Sequence, residues 1–373
     1  MRILLAPNAF KGCLSAREFC SRASFLAAAN QVEVLPFSDG GDSVLEVFSS
    51  AFPSAKLHYV RAFNAVGKEH KAPYLLSEDC KTCIIESAKV CGLGELKKSE
   101  LNILNASSFG IGQVIKAAYK KGARTFYIGL GGVAFNDGGA GMAMALGYKF
   151  FDAKGKKLEK GAAALRGLSV IKKPAVLPRI KVNGLSDVDN PLLGSEGSAR
   201  IYGPQKGASP AQVELVEEAM SALNRAVKKC LSVNINTKHC GAAGALGAGL
   251  KGFLNAKLVS GAPFIAGKIG LAKAVKKAEV IITGEGKLDG QTFYGKGPFY
   301  VCKLAAKYGK PVIFVCGVNE IKDKNLLKKY SVAKVTELSA LAGGREKALK
   351  DAPFYIEKAL RGIFDDKAEA VFR

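Results

Sequence analysis

Residues 280–297 read VIITGEGKLDGQTFYGKG. An apolar, β-branched run from Val280 to Thr283 leads directly into Gly284-Glu285-Gly286. That pattern predicts a buried strand that ends in a glycine-rich loop. Glu285, Lys287, Asp289 and Lys296 add charges of both signs to the same stretch. Buried strands of parallel sheets carry their ligand sites at the carboxyl end, where this loop falls. The stretch therefore predicts an α/β fold with a phosphate-handling loop, in which Gly284 and Gly286 bring backbone N–H groups close to the ligand.

The N-terminal segment has the same rhythm. Residues 2–6 (RILLA) predict a short buried strand stopped by Pro7, and Ser15 predicts a helix cap with Glu18 in the capping-box position. A second strand over Val32–Pro36 feeds Ser38-Asp39-Gly40-Gly41-Asp42-Ser43, and a helix opens at Val44. Strand, polar loop, helix, repeated, is the start of a parallel sheet. From about Lys56 the texture becomes that of a mixed sheet, with strands over Leu57–Phe63 and Cys83–Glu86. A strand over Thr125–Leu130 runs into GGVAFNDGGAGM (131–142), and another from Ile180 leads to SDVDNP (186–191). The clearest helix covers 209–229, with Ser209 as cap, Pro210 in the first turn and Gln212 closing a capping box. The βα rhythm returns after Ala278. The expectation is two α/β domains: a Rossmann-like one built from 1–60 and 277–373, and an inserted one over 61–276.

Composition narrows the function. The chain has 373 residues, 48% hydrophobic and 23% charged, which is ordinary for a globular protein. No apolar run approaches the ~18 residues of a membrane span, and the N-terminus lacks a secretory pattern, so the expected location is cytoplasmic. Nine scattered cysteines read as reduced thiols, and Cys80-Lys81-Thr82-Cys83 lacks the second pair or the spaced histidines that zinc needs. The net charge of +23 raises nucleic-acid binding as an alternative. The lysines are spread along the whole chain, and no basic, aromatic-interleaved segment or finger motif accompanies them, so solvated lysine faces are the preferred reading. Such a field still attracts small anions.

Two motifs match in spelling only. Gly290-x-x-x-x-Gly295-Lys296 resembles a P-loop, but Gly297 replaces the hydroxyl residue that would meet magnesium, and the loop leaves its strand too late. Gly247-x-Gly249-x-x-Gly252 spells a dinucleotide fingerprint without a preceding strand or a following acid, so close backbone packing is preferred to a nicotinamide site. Agreement between loops is stronger. Asp39, Asp137, Asp187, Asp189, Glu285 and Asp289 all follow predicted strands, and Lys11, Lys206 and Lys296 lie in similar settings. Each aspartate alone reads as a cap or turn residue. Together they supply what phosphoryl transfer needs: carboxylates for magnesium, cations for the moving phosphoryl, and a carboxylate for the attacking hydroxyl.

AFKGCLSA (9–16), SDGGDS (38–43), NDGGAGM (136–142), SDVDNPL (186–192), YGPQKGA (202–208), GAAGALGAGL (241–250) and ITGEGKLDGQT (282–292) together resemble the bacterial two-domain glycerate kinases, nearly end to end. The resemblance implies a discontinuous Rossmann-like domain with an inserted α/β domain and the site in the cleft between. It implies ATP and Mg2+ as co-substrates and phosphorylation of D-glycerate, with 2-phosphoglycerate the expected product. A 3-phosphoglycerate product, or another small hydroxy acid as substrate, is the alternative. Within that frame Asp187 and Asp189 are expected to hold magnesium or activate the hydroxyl. Lys11, Lys206 and Lys296 are expected on phosphates, with Gly284 and Gly286 beside them. Asp289 and Lys287 are expected to position glycerate, and Asn136, Asp137, Asp39 and Glu285 to line its site. Four positions depart from the family's usual pattern: Asn8 and Ala9 stand where Asp-Ser is usual, Lys287 where Arg is usual, and Phe135 where Thr is more common. Asn8 cannot serve as a carboxylate base, which makes Asp189 the first candidate for that role.

Overall fold

The computed structural model describes residues 1–10, 12–290, 292 and 297–365. Its strands are β1 (Arg2–Leu5), β2 (Gln31–Val34), β3 (Lys56–Phe63), β4 (Glu69–Leu76), β5 (Thr82–Glu86), β6 (Thr125–Leu130) and β7 (Lys149–Phe151). They continue with β8 (Val170–Lys172), β9 (Lys181–Ser186), β10 (Lys257–Ser260), β11 (Val280–Leu288), β12 (Val312–Asn319) and β13 (Val332–Glu337). The chain divides into two compact units, and both are α/β. One gathers Met1–Asp39, Glu46–Ala51 and the chain from Ala262 onward; the other holds Gly40–Leu45 and Phe52–Gly261.

The first unit is built on a parallel sheet in the order β13-β12-β11-β1-β2. Its central strands are apolar on both faces, as expected when helices cover both sides. Ile3, Leu5, Val280, Ile282, Ile313 and Val315 pack with Phe19 and with Ile356 and Leu360 of the helix Ala352–Asp365. The chain leaves β1 toward β2 on one side and returns as β11 on the other. The strand order thus reverses between β1 and β11, and open α/β sheets bind ligands beyond the carboxyl ends at such a point. Asn8 and Glu285 lie just there, Asn8 tied to β11 by its N–H on the Gly284 carbonyl at 2.9 Å.

In this unit the sequence reading requires a correction. Gly284-Glu285-Gly286-Lys287 is not a loop: β11 runs to Leu288, paired in register with β12 through Leu288↔Asn319. The glycines permit this by close packing. A Cβ on Gly284 would run into the Val315 carbonyl, and a Cβ on Gly317 of β12 would run into the Gly286 carbonyl. Glycine inside a strand marks such an approach as often as it marks a turn.

The second unit has a mixed sheet in the order β10-β9-β6-β5-β4-β3, parallel from β10 to β5 and antiparallel in β4 and β3. β7 and β8 form a separate ribbon. The helix Pro210–Leu231 has the Ser209–Gln212 capping box and buries Val213, Val216, Met220, Leu223 and Val227 along one face. The helix Ala242–Leu254 is kinked, with Ala243, Gly244 and Ala245 all left-handed. Its glycines pack against backbone, Gly249 against Gly138 and Gly139, and no strand among the described residues precedes it between Leu231 and Ala242. The dinucleotide spelling is therefore a packing device. No described helix is long and apolar enough to cross a membrane.

Candidate active site

The candidate site residues fall mostly at or beyond the carboxyl ends of parallel strands in the two sheets, and each unit holds its own group. In the first unit, Asn8 is 7% exposed and its Oδ1 accepts from the Ala9 N–H at 2.8 Å. Gly297, which opens the helix Gly297–Lys307, leaves room for this amide: a Cβ there would lie 3.1 Å from Asn8 Nδ2 and 3.5 Å from the Asp39 nitrogen. Asn8, Asp39 and Gly297 are thus brought together from three separate segments. Asp39 and Glu285 are both buried.

Past the end of β11, Asp289 forms a tight turn with Thr292, whose N–H reaches Asp289 Oδ1 at 3.2 Å. Lys287 Nζ lies 3.5 Å from Asp289 Oδ2 and 2.9 Å from Glu320 Oε1. Its hydrogen bond to Glu320 holds the ammonium pKa above its ordinary value. The structure joins Lys287 with Asp289, as the sequence reading pairs them, and adds Glu320, which sequence reading missed. Lys11 and Lys296 lie outside the described residues, as does Gly295 of the P-loop spelling.

In the second unit the loop after β6 carries Phe135-Asn136-Asp137, all fully buried. Asp137 accepts from Ser107 Oγ at 3.1 Å, the Ser108 N–H at 2.8 Å, Ser108 Oγ at 3.0 Å, and the N–H groups of Gly139 and Gly141 at 3.1 Å each. Burial pushes its pKa up while these donors pull it down. Both of its oxygens are engaged in holding its own loop. Lys206 is 2% exposed, its Nζ donates to the Phe135 carbonyl at 2.6 Å, and burial lowers its pKa to about 7 against a partial counter-effect from Asp137. Its ammonium thus serves as an internal tie. Asn136 Oδ1 accepts from Ser198 Oγ at 3.0 Å, and its Nδ2 has no hydrogen-bond partner among the described residues.

The loop after β9 holds Asp187 and Asp189. Asp187 is half-buried, close enough to Tyr202 to help burial push that phenol up to about 12. The Asp189 side chain is 70% exposed, 3.0 Å from Lys238 Nζ and 3.5 Å from His239 Nδ1. His239, which sequence reading treated as isolated, is buried, has a left-handed backbone (φ 69°), and bonds the Val188 carbonyl at 2.8 Å. Ser107, Ser108, Ser198, Glu320 and His239 were all beyond sequence reading, because each reaches its partner from a distant segment; Ser198 and Asn136 are 62 positions apart.

Among the described residues no group of three or more His, Cys, Asp or Glu could hold a metal ion. The available donors are carboxylate oxygens, which suit a hard ion such as magnesium that takes one or two carboxylates and fills its remaining positions with water and substrate phosphates. The residues fit that mode and do not form an all-protein cage.

A family model described as the glycerate kinase family matches residues 3–366. The chain is 35% identical over 372 residues to the glycerate 2-kinase of Escherichia coli (strain K12), covering 97% of each protein. It is 37% identical over 325 residues to a glycerate kinase of Halalkalibacterium halodurans, covering 84% of this chain and 85% of the relative. Its structure matches a crystal structure from Salmonella typhimurium LT2, of a protein assigned as glycerate kinase 2, with a TM-score of 0.80, 30% identity and 99% of each chain covered.

Proposed function

The chain belongs to the glycerate kinase family, and from that premise we propose that it transfers the γ-phosphoryl group of ATP to D-glycerate at the 2-hydroxyl. It is an enzyme and a kinase. The observation that carries the finer reading is its relation to the Escherichia coli glycerate 2-kinase over 97% of both chains. The donor set supports it, since carboxylates and lysines at sheet carboxyl ends are what phosphoryl transfer uses.

In this reading Asp189 takes the proton of the attacking hydroxyl. It is exposed, while its pairing with Lys238 and the bond from His239 to Val188 hold its loop. Asp187 is assigned to magnesium, which when bound supplies positive charge to the nucleotide phosphates. Lys287 holds the glycerate carboxylate as a single-point cation, with Asp289 on a glycerate hydroxyl and Glu320 fixing the lysine's position. Asp39 and Glu285 line the carboxyl end of the first unit's sheet. Lys11 and Lys296 remain assigned to phosphates on residue type alone. Gly284 lets β11 approach β12, and Gly284 and Gly286 remain assigned to the phosphates.

A coupled assay with ATP, magnesium and D-glycerate tests the reading. ADP release that depends on glycerate is expected; release no greater than the control without glycerate would sink it. NMR of the product separates the 2-phosphate from the 3-phosphate, and parallel assays with lactate and tartronate define the acceptor.

A further inference from the structure

Asn136 occupies an unusual position within the second unit. Its side chain is fully buried, Ser198 Oγ donates to its Oδ1 at 3.0 Å, and among the described residues its Nδ2 is left as a donor with no acceptor. A buried amide N–H without an acceptor is costly, so a native fold keeps one mainly where something else is to meet it. Both neighbours in sequence are held firmly. The Phe135 carbonyl accepts from Lys206 Nζ at 2.6 Å. On the other side, Asp137 is locked by Ser107, Ser108, Gly139 and Gly141.

The fold accepts strain to make the Lys206 tie. Ala243, Gly244 and Ala245 are consecutive left-handed residues, an arrangement that costs roughly 1–2 kcal/mol at each alanine. Gly244 carries no side chain where the Phe135 carbonyl and the Lys206 ammonium converge; a Cβ there would lie 2.9 Å from Nζ. The same turn returns a bond, from the Gly138 N–H to the Gly244 carbonyl at 3.3 Å. Three separate segments therefore fix the peptide on either side of Asn136, while Ser198 fixes one end of its amide.

We propose that Ser198 and Lys206 are positioning residues that hold Asn136 so that its Nδ2 donates to a carboxylate oxygen of the acid substrate. The proposal rests on the glycerate reading above and deepens it. A carboxylate is the strongest acceptor that such an acid offers, and an orphan donor favours a ligand that brings one. Neither Ser198 nor Lys206 touches the substrate; both act through Asn136.

The test compares Ser198→Ala, Lys206→Met and Asn136→Asp with the wild type. Ser198→Ala and Lys206→Met are expected to raise KM for glycerate by about tenfold, with KM for ATP unchanged within about twofold. Asn136→Asp, which replaces the donor with a repelling acceptor, is expected to raise it further. Amide hydrogen exchange of the ligand-free protein is expected to quicken over 131–141 in both positioning variants, a readout independent of turnover. Unchanged exchange in both variants overturns the proposal, as does an unchanged glycerate KM. A rise in KM for ATP in Lys206→Met overturns it too, because Lys206 would then be a phosphate ligand. Ser198→Ala removes a single oxygen, so it decides the matter even if Lys206→Met does not fold. A wild type that turns over no glycerate defeats the functional reading instead, and hydrogen exchange still decides whether Ser198 and Lys206 hold the loop.

Discussion

Burial acts in opposite directions on Asp137 and Lys206, and the difference is measurable. Asp137 is raised by desolvation but held by five donors. Asp137→Asn keeps the shape yet turns an NH2 group toward N–H donors. We expect it to cost about 3 kcal/mol or more in urea unfolding. Lys206 is lowered from 10.5 to about 7 by burial. A depressed folded value means that the stability linked to this group is complete above the unfolded value and is lost as pH falls through about 7. Replacing it with methionine removes both the charge and its desolvation cost. The stability of wild type relative to Lys206→Met is therefore expected to rise steadily from about pH 7 toward pH 9. Buried thiols such as Cys20, raised to about 12, push stability the other way at alkaline pH. They are common to both proteins, so the difference in unfolding free energy isolates Lys206. A pH-independent difference would contradict the buried, titrating lysine.

At the scale of elements, what was legible in the sequence followed local rules. The capping boxes at Ser15–Glu18 and Ser209–Gln212 form as their spacing predicts, and β6 has the bounds read from its apolar run. Ser209→Ala should accordingly cost about 1 kcal/mol, seen as a lower midpoint in thermal or urea unfolding. The misreadings arise where glycine has two physical uses. At Gly284 it reads as loop in the sequence but serves strand packing, a fact that depends on β12 lying alongside. Gly284→Ala tests this. The added methyl meets the Val315 carbonyl, which is backbone and cannot swing aside. A loss of about 1–3 kcal/mol is expected, with amide exchange quickened along the β11–β12 ladder. A neutral outcome would restore the loop reading. The site was legible as a set of carboxylates and lysines after strands. It was not legible which of them face inward, because Ser107, Ser108 and Ser198 claim Asp137 and Asn136 through tertiary contacts alone.

At the scale of the whole molecule, the charge of +23 must be accounted for. The lysines are dispersed, and among the described residues Lys238 is engaged with Asp189 and Lys287 with Glu320. A diffuse field of this kind accelerates the encounter of anions without specifying any of them. Both substrates in the proposed reaction are anions, so the field acts on their capture and not on the chemical step. Raising salt from low to physiological ionic strength shortens the Debye length from about 30 Å to about 8 Å. KM for glycerate and for ATP should therefore rise together with salt while kcat stays nearly constant. A nucleic-acid binder of the same charge behaves differently. Its affinity falls as a steep power of salt, because each neutralised phosphate releases a counterion. Titrating the protein with a duplex oligonucleotide at physiological salt, beside the kinetic series, separates the two roles. Weak binding with salt-dependent KM supports a field that gathers small anions. Tight, sequence-independent binding with a salt-insensitive KM would mean that the charge serves a nucleic acid and that the kinase site owes it nothing.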